Sequence, residues 1–165
     1  MKKRGFEKIS FEQFSKDFED KIDNLKEVYE SFPLPVRKTK GSAGYDIHSL
    51  FDFYLLPGES KIVPTGLKVY MSNGEFLSIV NRSSLGIKYG IMLKNQIGII
   101  DQDYYNNIDN EGHFMIGLIN MGQNVWHCTK GDAIAQGIFI NYLVIDDEAP
   151  NNIVRLGGIG STNRS

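Results

Sequence analysis

Between Phe11 and Phe32 the apolar residues Phe11, Phe14, Phe18, Ile22, Leu25, Tyr29 and Phe32 recur at steps of three and four, with Lys, Asp and Glu between them. Such spacing lines one face of an amphipathic helix. Ser10 with Gln13 forms a capping box at its start, and Pro33-Leu34-Pro35 ends it. The pattern predicts a single helix over about 11–31. Ahead of it, Phe6 and Ile9 among charged neighbours predict a short edge strand within residues 3–9. After Pro35 the helical period disappears. Short β-prone runs follow at Gly66–Tyr70, Phe76–Asn81, Ile97–Ile100, His113–Asn120 and Ala133–Asn141, divided by Gly, Asn, Asp and Pro. Pro57-Gly58 and Asn73-Gly74 are turn dipeptides, the second a hairpin signal. Many short, closely spaced strands predict a mainly β fold, a jelly-roll-like barrel. From Leu156 to Ser165 there are glycines but no apolar stripe, which reads as a mobile arm over about 154–165.

A chain of 165 residues, 41% hydrophobic and 23% charged, suits one globular domain. Its formal net charge of −2 argues against a binder of bulk nucleic acid, which needs a basic surplus, but not against a single nucleotide. The lone cysteine, Cys128, excludes a disulfide framework and a cysteine-based zinc site, and it points to a reducing cytoplasm. Met1-Lys2-Lys3-Arg4 is not followed by an apolar run, and no stretch reaches the ~20 apolar residues that span a bilayer. The expectation is a soluble cytoplasmic protein with no membrane partner.

His48, His113 and His127 show no metal-ligand spacing and read as structural or surface residues. Three other patches carry candidate chemistry. Gly98-Ile99-Ile100-Asp101-Gln102-Asp103-Tyr104 sets two carboxylates and a phenol just after an apolar strand. It is either a polar hairpin tip or a site with Asp101 as general base and Tyr104 as a pocket wall. Asn81-Arg82-Ser83-Ser84-Leu85-Gly86 offers a guanidinium and two hydroxyls suited to phosphate oxygens, or else is a loop. Gly157-Gly158-Ile159-Gly160-Ser161-Thr162 has amides that can wrap phosphates, yet it lacks the lysine of a P-loop.

Read in order, Ala43-Gly44-Tyr45-Asp46-Ile47, Arg82 to Gly86, Asn95 to Tyr104, Gly131 to Gln136 and Arg155 to Thr162 resemble the five motifs of the homotrimeric dUTPase family, in its bacterial and phage form. The resemblance covers roughly residues 34–165, and Arg4-Gly5-Phe6-Glu7 resembles the first strand of some members. It implies hydrolysis of dUTP to dUMP and pyrophosphate, limiting uracil in DNA. In that reading Asp101 activates the attacking water. Asn95, with backbone groups of Gly98 and Ile100, pairs with uracil, while Tyr104 excludes a 2′-hydroxyl. Arg82, Ser83, Ser84 and Gln136 hold phosphates, and Asp46 acts on water bound to Mg²⁺. Arg155, Ile159, Gly160, Ser161 and Thr162 close over the substrate from a neighbouring subunit of a trimer.

Ile159 stands where the family usually has a stacking Phe, and Asn106-Asn107 replaces a common Gly. The 11–31 helix lies outside the common core and is a possible docking surface for a protein partner. Two other readings stay open: a dCTP deaminase of the same fold, and a nucleotide-sensing or protein-binding module.

Overall fold

The structure is a computed structural model that describes residues 2–149, 155, 157 and 158. Much of the expected mobile arm, including Ile159, Gly160, Ser161 and Thr162, lies outside the described residues. The elements run β1 (Gly5–Lys8), α1 (Phe11–Phe18), α2 (Leu25–Ser31), β2 (Tyr45–His48), β3 (Phe53–Leu55), β4 (Ser60–Pro64), β5 (Leu67–Tyr70) and β6 (Glu75–Val80). They continue with α3 (Ser83–Tyr89), β7 (Ile91–Leu93), β8 (Gly98–Asp101), a 3-10 turn (Gln102–Tyr104), β9 (Met115–Asn120), β10 (Trp126–Cys128) and β11 (Ala133–Asn141).

All strand pairs are antiparallel. The largest sheet has the order β2-β11-β6-β8 and a second has β4-β9-β7, with the pairs β1-β5 and β3-β10 beside them. Mainly β architecture is thus as expected. Alternation decides which side faces in: Ile116, Leu118 and Asn120 of β9 are buried while their neighbours are not. Trp126 and Cys128 are buried on either side of exposed His127, so His127 and Cys128 point to opposite faces.

The segment predicted as one helix is two. Phe18 O accepts from the Lys21 and Ile22 amides at 2.9 and 3.0 Å, closing α1 in a turn. The chain then folds back, so that Phe14 and Phe32 stack with centroids 5.8 Å apart. A continuous helix would hold them about 27 Å apart at 1.5 Å per residue. Folding back puts Phe14, Phe18, Val28 and Phe32 into one core cluster with Ile47, Leu67 and Phe114 of the β domain. Fully burying each such side chain is worth about 1.5–3 kcal/mol. The chain's own sheets therefore cover most of this apolar face, while Phe11 at its start stays 40% exposed. Half of the predicted capping box forms: Ser10 Oγ accepts from the Gln13 amide at 3.1 Å, but the Ser10 amide donates to Glu111 Oε2 at 2.9 Å instead of to Gln13.

Two further expectations change. Asn73-Gly74 turns the chain, with the Glu75 amide donating to Ser72 O, but β5 pairs with β1 and β6 with β11 and β8. The turn passes between sheets rather than closing a hairpin. Residues 83–89, open to reading as a loop, form α3, which ends at left-handed Gly90 (φ 68°). A seven-residue helix burying only Leu85 is too short to write a period into the sequence.

Candidate functional site

β8 ends in Asp101, and the preceding turn positions Asn95. That turn is tight: Gln96 takes a left-handed φ of 64°, and the Gln96 amide donates to Leu93 O at 3.1 Å. β7 and β8 belong to different sheets, so residues 95–97 bridge two sheets instead of capping a hairpin. A cleft of about 220 Å³ opens between those sheets. Ile79, Gly98 and Ile100 form one wall, Leu93 and Ile116 the other, with Asn95 and Tyr104 at its polar end. A mostly apolar slot with few polar groups suits a planar base and sugar.

Tyr104 is held firmly. Its hydroxyl donates to His113 O at 3.1 Å and accepts from Asn110 Nδ2 at 2.9 Å. Burial pushes the phenol's pKa above its ordinary value, outweighing the Asn110 bond. The following corner needs a left-handed residue, and Asn106 supplies it at φ 55°, a conformation Asn tolerates better than most side chains.

Arg155 and Gly158 of this same chain reach the cleft, where the resemblance implies a neighbouring subunit's arm. Arg155 Nη1 donates to Asp101 Oδ2 at 2.9 Å and to Asp103 Oδ1 at 3.1 Å. Its guanidinium lies 5.7 Å from the centroid of the Tyr104 ring, and its buried Nε has no hydrogen-bond partner among the described residues. At Gly158 a Cβ would sit 2.7 Å from the Tyr104 hydroxyl, so only glycine allows that approach. The Asp101 side chain keeps 47% of its surface exposed at the rim.

The remaining candidates gather on the same large sheet but elsewhere. In register, Gln136 of β11 stands between Asp46 of β2 and Val80 of β6. Gln136 Nε2 donates to Asn81 O at 3.2 Å, and a Cβ on Gly44 would run into Gln136 Oε1. Arg82 Nε pairs with Asp46 Oδ1 at 3.2 Å. Ser83 and Ser84 open α3, with Ser84 and Arg82 lining one hollow and Arg82, Asp46 and His48 another. Burial lowers the His48 pKa, with Arg82 adding to the effect and Asp46 opposing it. Neither hollow shares a residue with the Asn95–Tyr104 cleft except through the chain between them. One chain therefore carries two separate groups of candidate residues: the Asn95–Tyr104 cleft with Asp101 at its rim, and the cluster around Arg82.

Among the described residues no three His, Cys, Asp or Glu side chains gather as a metal cage. Asp46, Asp101 and Asp103 are each paired with arginine. This donor set fits a hard cation ligated chiefly by phosphate oxygens and water, with one carboxylate nearby. Phe114, which lines the cleft, and Asn110, which holds the Tyr104 hydroxyl, carry no sequence signal of such a role, since both act through contacts made by the fold.

Residues 30–162 match the dUTPase family. The chain is 46% identical over 130 residues to the deoxyuridine 5′-triphosphate nucleotidohydrolase of Lactococcus lactis, covering 78% of this chain and 87% of that protein. It is 41% identical over 112 residues to the enzyme of the same name from Haemophilus influenzae, covering 66% and 70%. Among solved structures, a dUTPase from Streptococcus mutans superposes with a TM-score of 0.68 at 37% identity, over 86% of this chain and 98% of that one. A variant dUTPase from phage phi11 of S. aureus, whose structure details coordination of a structural Mg(II) ion, shares the fold at a TM-score of 0.64 and 17% identity, over 92% and 99%.

Proposed function

Because the chain belongs to the dUTPase family, we propose that it hydrolyses dUTP to dUMP and pyrophosphate, with sites assembled between the subunits of a homotrimer. The observation that carries this reading is Asp101 at the rim of the cleft formed by Asn95 and Tyr104, with Arg155 bonded to its carboxylate.

Uracil enters between the two sheets, where Asn95 and the backbone of Gly98 and Ile100 meet its polar edge. Tyr104, fixed by His113 O and Asn110, stands against the deoxyribose and leaves no space for a 2′-hydroxyl. Asp101 takes a proton from water as that water attacks the α-phosphorus in line. The new P–O bond forms as the bond to the bridging oxygen breaks, and pyrophosphate leaves with the bridging electron pair. Arg82, Ser83, Ser84 and Gln136 of a second subunit hold the phosphates. The two separate half-sites of one chain support this sharing. Arg155 exchanges its carboxylates for phosphate oxygens, and Ile159, Gly160, Ser161 and Thr162 complete the closure. Asp46 would hold Mg²⁺ through bound water, and the ion, carried in with the triphosphate, would neutralise charge on the leaving group. The compartment that fits is the cytoplasm, where nucleotide pools are kept clear of dUTP.

One assay tests the reading: release of pyrophosphate and of ammonia from dUTP, dCTP, dTTP and UTP with Mg²⁺. Pyrophosphate from dUTP alone is expected. Ammonia from dCTP, or binding without turnover, would replace it with one of the alternatives.

A further inference from the structure

Asp17 belongs to α1, outside the cleft, yet one residue connects it to the cleft wall. His113 Nδ1 is 2.6 Å from Asp17 Oδ2. At the ring's other nitrogen, Nε2 accepts the backbone amides of Thr65 at 3.1 Å and Gly66 at 2.8 Å. Two donors on Nε2 leave the ring hydrogen on Nδ1, so the imidazole donates to Asp17. The His113 side chain is wholly buried, and Phe18 of the same helix stacks on it at 6.1 Å. The carbonyl of His113 accepts from the Tyr104 hydroxyl at 3.1 Å and from Asn110 Nδ2 at 3.0 Å. The next residue, Phe114, lines the cleft. A second tie runs alongside, since Glu111 caps Ser10 at the start of α1. Gln13 Nε2 steadies Asp17 at 2.7 Å.

We propose that Asp17 is a positioning residue for the sugar wall: it fixes the His113 ring, hence the carbonyl that holds the Tyr104 phenol, and so makes deoxyribose selectivity depend on the inserted helix. This rests on the reading of Tyr104 given above. Without the carboxylate a buried N–H is left unpaired. The 110–113 loop then relaxes to find it a partner, which frees the phenol. The chemical step at Asp101 does not pass through this chain of bonds. The loss should therefore fall on KM and on selectivity rather than on kcat.

The test is steady-state kinetics on dUTP and UTP, with thermal melts, for full-length wild type, Asp17→Asn, Asp17→Ala, Asp17→Glu and Val28→Ala. Asp17→Ala should raise KM for dUTP about tenfold and cut the dUTP-to-UTP ratio of kcat/KM about tenfold, with kcat within about twofold. Asp17→Asn, whose amide oxygen still accepts from Nδ1, should stay within about threefold of wild type on both. Val28→Ala removes a buried side chain of α2, the helix that does not carry Asp17, and should lower Tm while leaving the ratio alone. If Asp17→Ala does not fold, Asp17→Glu decides, because it keeps the charge but displaces the carboxylate; its ratio should fall. An unchanged ratio in these variants overturns the proposal, as does an equal fall in Val28→Ala, or Asn proving as damaging as Ala. A wild-type enzyme that fails to separate dUTP from UTP would instead remove the reading of Tyr104 itself.

Discussion

Arg155 Nη1 sits 2.9 Å from Asp101 Oδ2, so the cation of the arm rests on the carboxylate assigned to activate water. The two are partners before substrate arrives and competitors for position afterwards. In the proposed reaction a triphosphate, carrying more charge than either carboxylate, draws the guanidinium off Asp101 and Asp103 and so uncovers the base.

Asp101→Asn should lower kcat by roughly 10²–10⁴. The amide keeps the shape of the rim, so a non-hydrolysable dUTP analogue should bind within severalfold of wild type. Turnover and calorimetric binding on the same preparation check both halves. Near-normal turnover would remove Asp101 from the reaction.

Sharing of sites is tested by mixing. Asp101→Asn and Arg82→Ala chains should each be poorly active alone, because each spoils every site. Refolded together, they should form some sites with both residues intact and regain measurable turnover. Light scattering on the wild type should give three times the chain mass. No recovery from a verified mixed assembly would place both half-sites on one chain.

The Asp17 carboxyl has a sign that can be followed with pH. Burial pushes its pKa up, but hydrogen bonds from His113 and Gln13 outweigh this and hold it below its ordinary 3.8. A lowered folded value means that the carboxylate stabilises the fold above the unfolded value, and that this is lost as pH falls through the folded one. Asp17→Asn cannot titrate. The stability gap between wild type and this variant, measured by urea unfolding, should be constant from about pH 5 to 7 and shrink below about pH 4. A gap that does not narrow would mean that the carboxylate is not preferentially held in its charged form.

Cys128 offers a check on the core. Burial pushes its thiol up to about 12, with Asp132 adding to the effect. The native protein should therefore resist a thiol-specific disulfide reagent at pH 8 and react fully once unfolded. Rapid labelling without denaturant would show that the sheet edge carrying β10 opens readily.

How legible all this is in the sequence depends on distance along the chain. Asn95, Asp101 and Tyr104 lie within one stretch, so their order alone announces a common site. Asp46 and Gln136 meet only through strand register, and nothing local shows that they face away from the Asn95 cleft. The Phe spacing from 11 to 32 fits one helix or two, since steps of three and four line a face in either. The turn at Phe18 O and the stack of Phe14 on Phe32 decide between them. Asp17 and His113, 96 positions apart, carry no pattern that a reading of the chain could join.

The corner at residues 19–24 gives the insert an unusual topology. Glu19, Asp20, Asp23 and Asn24 are exposed there, while Phe14 on one side meets the rings of Tyr29 and Phe32 on the other. A protease cutting after Lys21 would sever the backbone without parting the two helices, because stacked aromatics, not the peptide link, hold them together. The same exposed corner is a place where an inserted guest segment should be tolerated. The chain thus has a suture that can be opened without disturbing what lies beneath it.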